Sequence, residues 1–176
     1  VTVSVQARGQ LNAINQQLSS RSIVYVVSSD RIEELPDAYA AESVARLPGV
    51  SIQREGGEGN KVVIRGLSPK YNAVTINGIR MASTDSDDRS TDLSMISQYM
   101  IDGIEVTKAA TPDKDADVLG GTVNFRTKKA VEGFKYNLIS QGSNNALRET
   151  YNDYKVVADA SNRFFGNRFG VVGQID

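Results

Sequence analysis

The feature that most constrains this chain is a series of short, glycine-punctuated apolar runs in a fixed order. They are Leu47-Pro48-Gly49-Val50, Val63-Ile64-Arg65-Gly66, Val74-Thr75-Ile76-Asn77-Gly78, Ile104-Glu105-Val106 and Leu119-Gly120-Gly121-Thr122-Val123-Asn124-Phe125. Each is short and lies beside residues that turn the chain, and all but the first, where Pro48-Gly49 turns a helix end into a strand, are rich in β-branched residues, the pattern of strands. The glycines fall where a turn needs a backbone conformation that a side chain forbids. With 176 residues and 40% hydrophobic content, the chain can bury one core of its own and leave a remainder.

Three parts follow from the pattern. Residues 1–21 begin with the alternating, β-prone run Val1-Thr2-Val3-Ser4-Val5 and continue as a Gln/Asn/Ser stretch with little to bury, the composition of a flexible leader. Residues 22–130 read as a compact α+β domain with a small mixed β-sheet and short helices. Strands are expected at Ile23–Val27, Val50–Gln53, Val62–Arg65, Ala73–Asn77, Ile79–Met81, Ile104–Thr107 and Thr122–Thr127. Asn77-Gly78 between apolar flanks is the favoured two-residue hairpin signal. Asp30 and Glu33 make a capping-box-like start to a helical turn that Pro36 stops. Asp37 then caps a helix whose Ala40, Val44 and Leu47 share one face. The glycine-rich stretch Glu55–Asn60 reads as a loop, and Asp92–Ile101 as a further short helix.

The chain has no cysteine and no histidine. That removes thiol nucleophiles, disulfides, imidazole bases and the commonest zinc ligands. A net charge of -1 gives no electrostatic argument for nucleic acid. Glu55-Gly56-Gly57-Glu58-Gly59 is not a phosphate loop, because it lacks the lysine and hydroxyl and carries negative charge where a phosphate would sit. Asp85, Asp87, Asp88 and Asp92 lie close together, but without the glycine and terminal glutamate of an EF-hand loop they read as a solvated loop. No cofactor and no metal site is expected. No apolar run approaches the roughly 20 residues of a membrane helix, and Val1 reads as the start of either a mature chain or an excised piece.

Taken together in this order and spacing, the five runs resemble the plug domain of TonB-dependent outer-membrane receptors, over roughly residues 22–130. The resemblance implies a non-enzymatic role: a plug that occludes a β-barrel in the outer membrane of a Gram-negative cell, reachable from the periplasm. It implies three partners, namely the C-terminal domain of TonB, the receptor's own barrel and a bulky nutrient. By position, Arg65 and Lys108 are the candidates for locking the plug to acidic groups on the barrel wall, Arg65 offering a bidentate fork, with Glu105 grouped with them as a partner for either cation. The alternative for Arg65 and Lys108 is that both are strand-end charges reaching for water, with Glu105 pairing to either. Arg54, Glu58, Arg80, Asp85 and Asp87 are carried over as substrate-facing residues. Val1, Thr2, Val3, Ser4 and Val5 resemble a TonB box, a short β-prone segment able to add to a partner's sheet edge. A frayed terminus is the other reading. The Ala109-Ala110-Thr111-Pro112-Asp113 variant resembles receptors associated with glycans, so a glycan is expected ahead of an iron chelate.

Residues 131–176 alternate differently. Phe134, Tyr136 and Leu138, then Tyr154, Val156, Ala158 and Ala160, then Phe169, Val171 and Ile175 interleave with polar residues. This is the dyad pattern of a transmembrane β-strand, although a soluble half-buried sheet gives it too. After a plug-like domain it reads as the first three strands of an incomplete barrel, since plugged transporters use about 22. Ser143–Asp153 is expected as an external loop and Asn162–Asn167 as a periplasmic turn. Three such strands cannot close, so the chain reads as a fragment unable to transport by itself. Its exposed edges would be covered by the plug-like domain or by self-association, burying Phe134, Tyr136, Val156, Phe169 and Val171.

Two other functions compete with the plug. One is a soluble periplasmic or surface ligand-binding module without a barrel, which the gene downstream of Asp176 discriminates. The other is a hydrolase using a carboxylate pair such as Asp85 and Asp88, which a turnover assay on glycans exposes.

Overall fold

The computed structural model describes residues 2–20, 23–28, 31–32, 40–83, 88–109, 115–145 and 150–175, with side chains omitted at 2–9, 143–145 and 150–153. The chain divides into two compact units, Val1–Thr127 and Lys128–Asp176.

The first unit contains helix α1 (Thr2–Ser19), strand β1 (Val24–Ser28), helix α2 (Ala40–Ala45), strands β2 (Val50–Glu55), β3 (Glu58–Ile64), β4 (Asn72–Ile76), β5 (Ile79–Arg80), β6 (Ile101–Thr107) and β7 (Gly121–Thr127), and two single 3₁₀ turns at Pro69–Tyr71 and Gln98–Met100. A five-stranded sheet runs in the order β1-β6-β7-β4-β5. Only the β4–β7 pairing is parallel, so the sheet is mixed. β2 and β3 form a separate hairpin. Ala40, Ala41 and Val44 of α2, Val50, Val62 and Ile64 of the hairpin, and Val74, Ile101, Ile104, Val106, Val123 and Phe125 of the sheet enclose one apolar core. At 1% exposure, Phe125 is the largest side chain in it, and truncation there would cost about 3–5 kcal/mol.

The α+β class and the expected strands of the middle region are all present, with boundaries moved by a residue or more. Other expectations are corrected. Residues 2–19 are an α-helix and not a flexible leader. Val3 and Val5 favour strands, but no neighbouring edge pairs with them, while the Ala-, Leu- and Gln-rich residues that follow propagate a helix. Glu55–Asn60 is no open loop: only Gly56 and Gly57 turn, and β3 begins at Glu58. Asp92–Ile101 is no α-helix. It is a turn followed by the 3₁₀ turn at Gln98–Met100. Of the expected Asp30–Pro36 turn only Arg31 and Ile32 are described, and they are helical; its other residues and the Asp37 cap lie outside the described residues.

The second unit is an antiparallel meander of β8 (Lys135–Asn145), β9 (Thr150–Phe164) and β10 (Phe169–Ile175), in the order β10-β9-β8. Its backbone extends β8 and β9 into the region expected as the Ser143–Asp153 loop, with Ser143 paired to Asp153 and Asn145 to Thr150. The turn at the other end is shorter than expected, because β9 runs to Phe164. Register assigns the faces. Tyr136 stands opposite Ala160, Leu138 opposite Ala158, and Val171 opposite Asn162, so Tyr136, Leu138, Tyr154, Val156, Ala158, Ala160, Phe164, Phe169, Val171 and Ile175 share one face. Phe134, Tyr136, Val156, Phe169 and Val171 are all exposed in this chain, Tyr136 to 76%. The opposite face carries Lys135, Asn137, Gln141, Lys155, Asp159, Ser161, Arg163 and Gln174, together with the apolar Ile139, Val157 and Val172, and Asn137 donates to Asp159 there at 3.3 Å.

Candidate functional site

Strand register places the polar side chains of the first unit on the face of the sheet opposite the core. Glu105 stands opposite Asn124, Asn124 opposite Thr75, and Thr75 opposite Arg80, a single row across β6, β7, β4 and β5. Its first three members are bonded in series. Asn124 Nδ2 donates to Glu105 Oε2 at 3.1 Å, and Asn124 Oδ1 accepts from Thr75 Oγ1 and from the Gly78 amide, each at 2.8 Å. Arg126, two residues along β7, pairs with Glu105 at 3.1 Å. Helix α1 closes over this end: Gln16 donates to Glu105 at 2.6 Å and accepts from Arg126 at 3.2 Å, while Gln17 donates to the Val26 carbonyl at 3.3 Å.

At the other end the Arg80 guanidinium grips two carboxylates, Asp115 at 2.7 Å and Asp117 at 2.8 Å. These hydrogen bonds hold the guanidinium firmly protonated and keep the Asp117 carboxyl below its usual range. Arg89 adds a second cation at 3.6 Å from Asp117. Beside it, Asp88 accepts from Ser90 Oγ at 2.7 Å and from Lys61 at 3.3 Å, and the Ser90 hydroxyl is the main reason its carboxyl titrates low. Charged side chains from β3, β5 and two loops thus meet along one band.

A second cluster holds the other two locking candidates. Arg65 follows β3 with φ 56°, an uncommon conformation for a residue with a side chain, and its amide bonds the Gly49 carbonyl at 3.0 Å. Lys108 follows β6 and is only 9% exposed. Its ammonium donates to the Pro48 carbonyl and lies 4.0 Å from the centroid of the Tyr25 ring. Burial first, and the nearby Arg65 charge second, push the Lys108 amine below its ordinary range. Among the described residues neither cation makes an ion pair with a carboxylate.

The structure therefore separates the three candidates. Arg65 and Lys108 come together at the Pro48-Gly49 turn, while Glu105 points to the opposite face and is spent on Arg126, Asn124 and Gln16. The expectation that Glu105 pairs with either cation is corrected: side chains alternate along β6, so 105 and 108 leave on opposite sides. Arg54, at the end of β2, donates to Glu42 at 3.3 Å and to the Gly57 carbonyl at 3.1 Å, and the exposed Glu58 opens β3 opposite Glu55. Asp85 and Asp87 lie outside the described residues, as does Val1, while Thr2, Val3, Ser4 and Val5 have helical backbone in α1. A segment ready to add to a sheet edge would be extended, so this helix must first unwind to serve. Gln16, Asn124 and Arg126 went unnoticed in the sequence, whereas Asp117 reads there only as part of a charged loop with Asp113, Lys114 and Asp115. Asn124 alone carried a signal, at the end of the Gly-Gly-Thr-Val-Asn motif.

The sequence model of the TonB-dependent receptor plug domain family matches residues 16–122, more than half of the chain. The Vitamin B12 transporter BtuB of Vibrio vulnificus (strain YJ016) is 29% identical over 107 residues, covering 59% of this chain and 17% of that protein. BtuB of Photobacterium profundum is 31% identical over 106 residues, again 59% of this chain and 17% of the relative. Among solved structures, the siderophore receptor PirA from Acinetobacter baumannii superposes with a TM-score of 0.65 at 20% identity, over 90% of this chain and 25% of that one. The copper transporter OprC does so with a TM-score of 0.63 at 23% identity, over 81% and 22%. At such identities the structural matches speak for the fold. The matched segment spans less than a fifth of the length of these two curated relatives.

Proposed function

The chain belongs to the TonB-dependent receptor plug domain family, and from that premise we propose that it gates an outer-membrane transporter. In this reading residues 131–176 open the barrel wall, and the plug lies inside that barrel in the outer membrane of a Gram-negative cell, occluding it until TonB pulls from the periplasm. The observation that carries the reading is the register of β8, β9 and β10, which gathers most of their aromatic and aliphatic side chains on one exposed face and their charges on the other, where Ile139, Val157 and Val172 also lie. A lipid-facing wall needs that arrangement, with its polar side turned to the lumen.

Arg65 and Lys108 would complete the picture. Two adjacent cations, one of them buried, without a carboxylate among the described residues favour an acidic partner, and a barrel wall can supply one. Arg54, Glu58, Arg80, Asp85 and Asp87 keep their role as candidate substrate-facing residues, Arg80 through the carboxylates it orders. For the cargo, the relatives named for vitamin B12 and siderophores favour a corrinoid or a ferric chelate over the glycan that the Ala109–Asp113 variant suggested. Val1–Val5 would engage the C-terminal domain of TonB.

Deleting residues 22–130 from the full-length receptor tests the gate. The plugless barrel should admit a large hydrophilic antibiotic that the intact receptor excludes, and unchanged permeability with a correctly inserted barrel would overturn the proposal. For the partner, the C-terminal domain of TonB is titrated against the receptor with and without residues 1–10, and equal binding removes the TonB-box assignment. Uptake of cyanocobalamin, a ferric siderophore and a maltodextrin by the intact receptor separates the three cargo classes.

A further inference from the structure

The strap at residues 128–130, which follows β7, is built onto the β8–β10 meander. Arg163, next to last in β9, donates Nε to the Ala130 carbonyl at 2.9 Å and Nη1 to the Asn167 carbonyl at 3.5 Å. One guanidinium thus spans the strap and the β9–β10 turn. Gly170 stands directly opposite Arg163 in the register. A Cβ at that glycine would come within 2.8 Å of the Ala130 methyl, so the strap occupies the space that the missing side chain leaves. The turn itself is strained: Phe165, Gly166 and Asn167 take φ of 54°, 61° and 68°, and two of the three carry side chains that disfavour this conformation. Arg163 bonds the last of them.

We propose that Arg163 and Gly170 anchor the strap 128–130, making it a fixed hinge and not a free tether. The guanidinium supplies directional bonds to two carbonyls, and the glycine supplies the seat. The docking rests on these contacts alone. Its consequence rests on the plug-and-barrel reading: a plug held at residues 128–130 yields first from its N-terminal side when force is applied there.

These 176 residues hold no cysteine, and any cysteine elsewhere in the full-length receptor is first replaced by serine, so that introduced pairs report on themselves alone. The full-length receptor in outer-membrane vesicles is prepared with Ala130→Cys and Gly170→Cys, a pair whose Cβ atoms need to separate only slightly to reach the roughly 3.5–4.5 Å of a disulfide. Ala130→Cys with Gly173→Cys is the reference pair, since the Cβ position at Gly173 meets no heavy atom within 4 Å. On mild oxidation the 130/170 pair should close at least about tenfold faster than the 130/173 pair, because docking raises its effective concentration. Adding Arg163→Gln should slow closure about fivefold, the weight of exposed charge-assisted hydrogen bonds. Arg163→Lys keeps the charge but cannot reach both carbonyls, and should fall between. Equal rates for the two pairs would overturn the hinge, as would a 130/170 rate unmoved by either Arg163 substitution. Where Arg163→Gln blocks assembly, Arg163→Lys decides. Disulfide yield is read on a gel without any transport, so failure of the gating reading leaves this result interpretable.

Discussion

Replacing Gly121 by alanine should unfold more of this protein than its size suggests. Gly121 opens β7, where it pairs with Asn72 of β4 and precedes the Thr122–Thr107 pairing with β6. Its φ is +153°, and a Cβ there would run into the Thr107 carbonyl oxygen while lying 3.2 Å from Ile64 Cδ1 and 3.2 Å from the Lys108 Cα. Two penalties combine. Holding a side chain in that conformation costs about 1–3 kcal/mol, and overpacking against backbone that cannot retreat costs about 1–3 kcal/mol more. The expected loss is therefore roughly 4 kcal/mol, a large share of the roughly 5–15 kcal/mol that holds a domain together. Gly78→Ala is the control. It too has a positive φ, +84°, but a Cβ there meets nothing within 4 Å, so about 1 kcal/mol is expected. Urea unfolding of residues 1–130, followed by circular dichroism, measures both. For a unit of this size the Gly121 variant should also melt roughly 10–20 °C below the parent. If both variants lost the same stability within about 1 kcal/mol, the measurement error of such comparisons included, close approach of the Thr107 carbonyl would not be what demands glycine at 121.

Three further outcomes are expected. Residues 1–130 should unfold cooperatively without the barrel, because their core is enclosed by their own elements; a broad, dye-binding transition would mean that another surface completes it. Lys108 should make that unit more stable as pH rises. Its folded pKa lies below the ordinary 10.5, so the cost of burying its charge is present in full below the folded value and fades between that value and 10.5; urea midpoints from pH 7 upward should climb in that window, and Lys108→Met should flatten the climb. On the apolar face of β9, Val156→Lys should cost the full-length receptor about 2–4 kcal/mol of membrane stability if it lies near the bilayer centre, whereas Lys155→Gln on the polar face should cost little; similar losses for the two, measured by unfolding in lipid vesicles, would contradict the assignment of faces.

Much of the fold was legible in the residues, because the signals that encode it are local. Val74-Thr75-Ile76-Asn77-Gly78 forms a strand and a turn by its own preferences, and Gly49, Gly66 and Gly78 all take the positive φ that such punctuation implies. The alternation in residues 134–175 likewise needed no partner to be seen. What the residues could not reveal was anything set by pairing between distant strands. Glu105, Asn124, Thr75 and Arg80 form one row only because β6, β7, β4 and β5 lie side by side in that register. For the same reason Glu105 serves α1 and Arg126, while Lys108, three residues on, turns inward to the Pro48 carbonyl and Tyr25. Gly120 and Gly121 read as turn glycines but are held by close approach, of Asn72 Oδ1 to the first and of the Thr107 carbonyl to the second. The N-terminal residues misled in the opposite sense, since Val3 and Val5 favour a strand only where an edge is offered, and the helix continuing to Ser19 outweighed them. Local propensity decides which elements form. The free energy of burying and bonding their faces, which depends on neighbours far away in the chain, decides what each polar side chain is for.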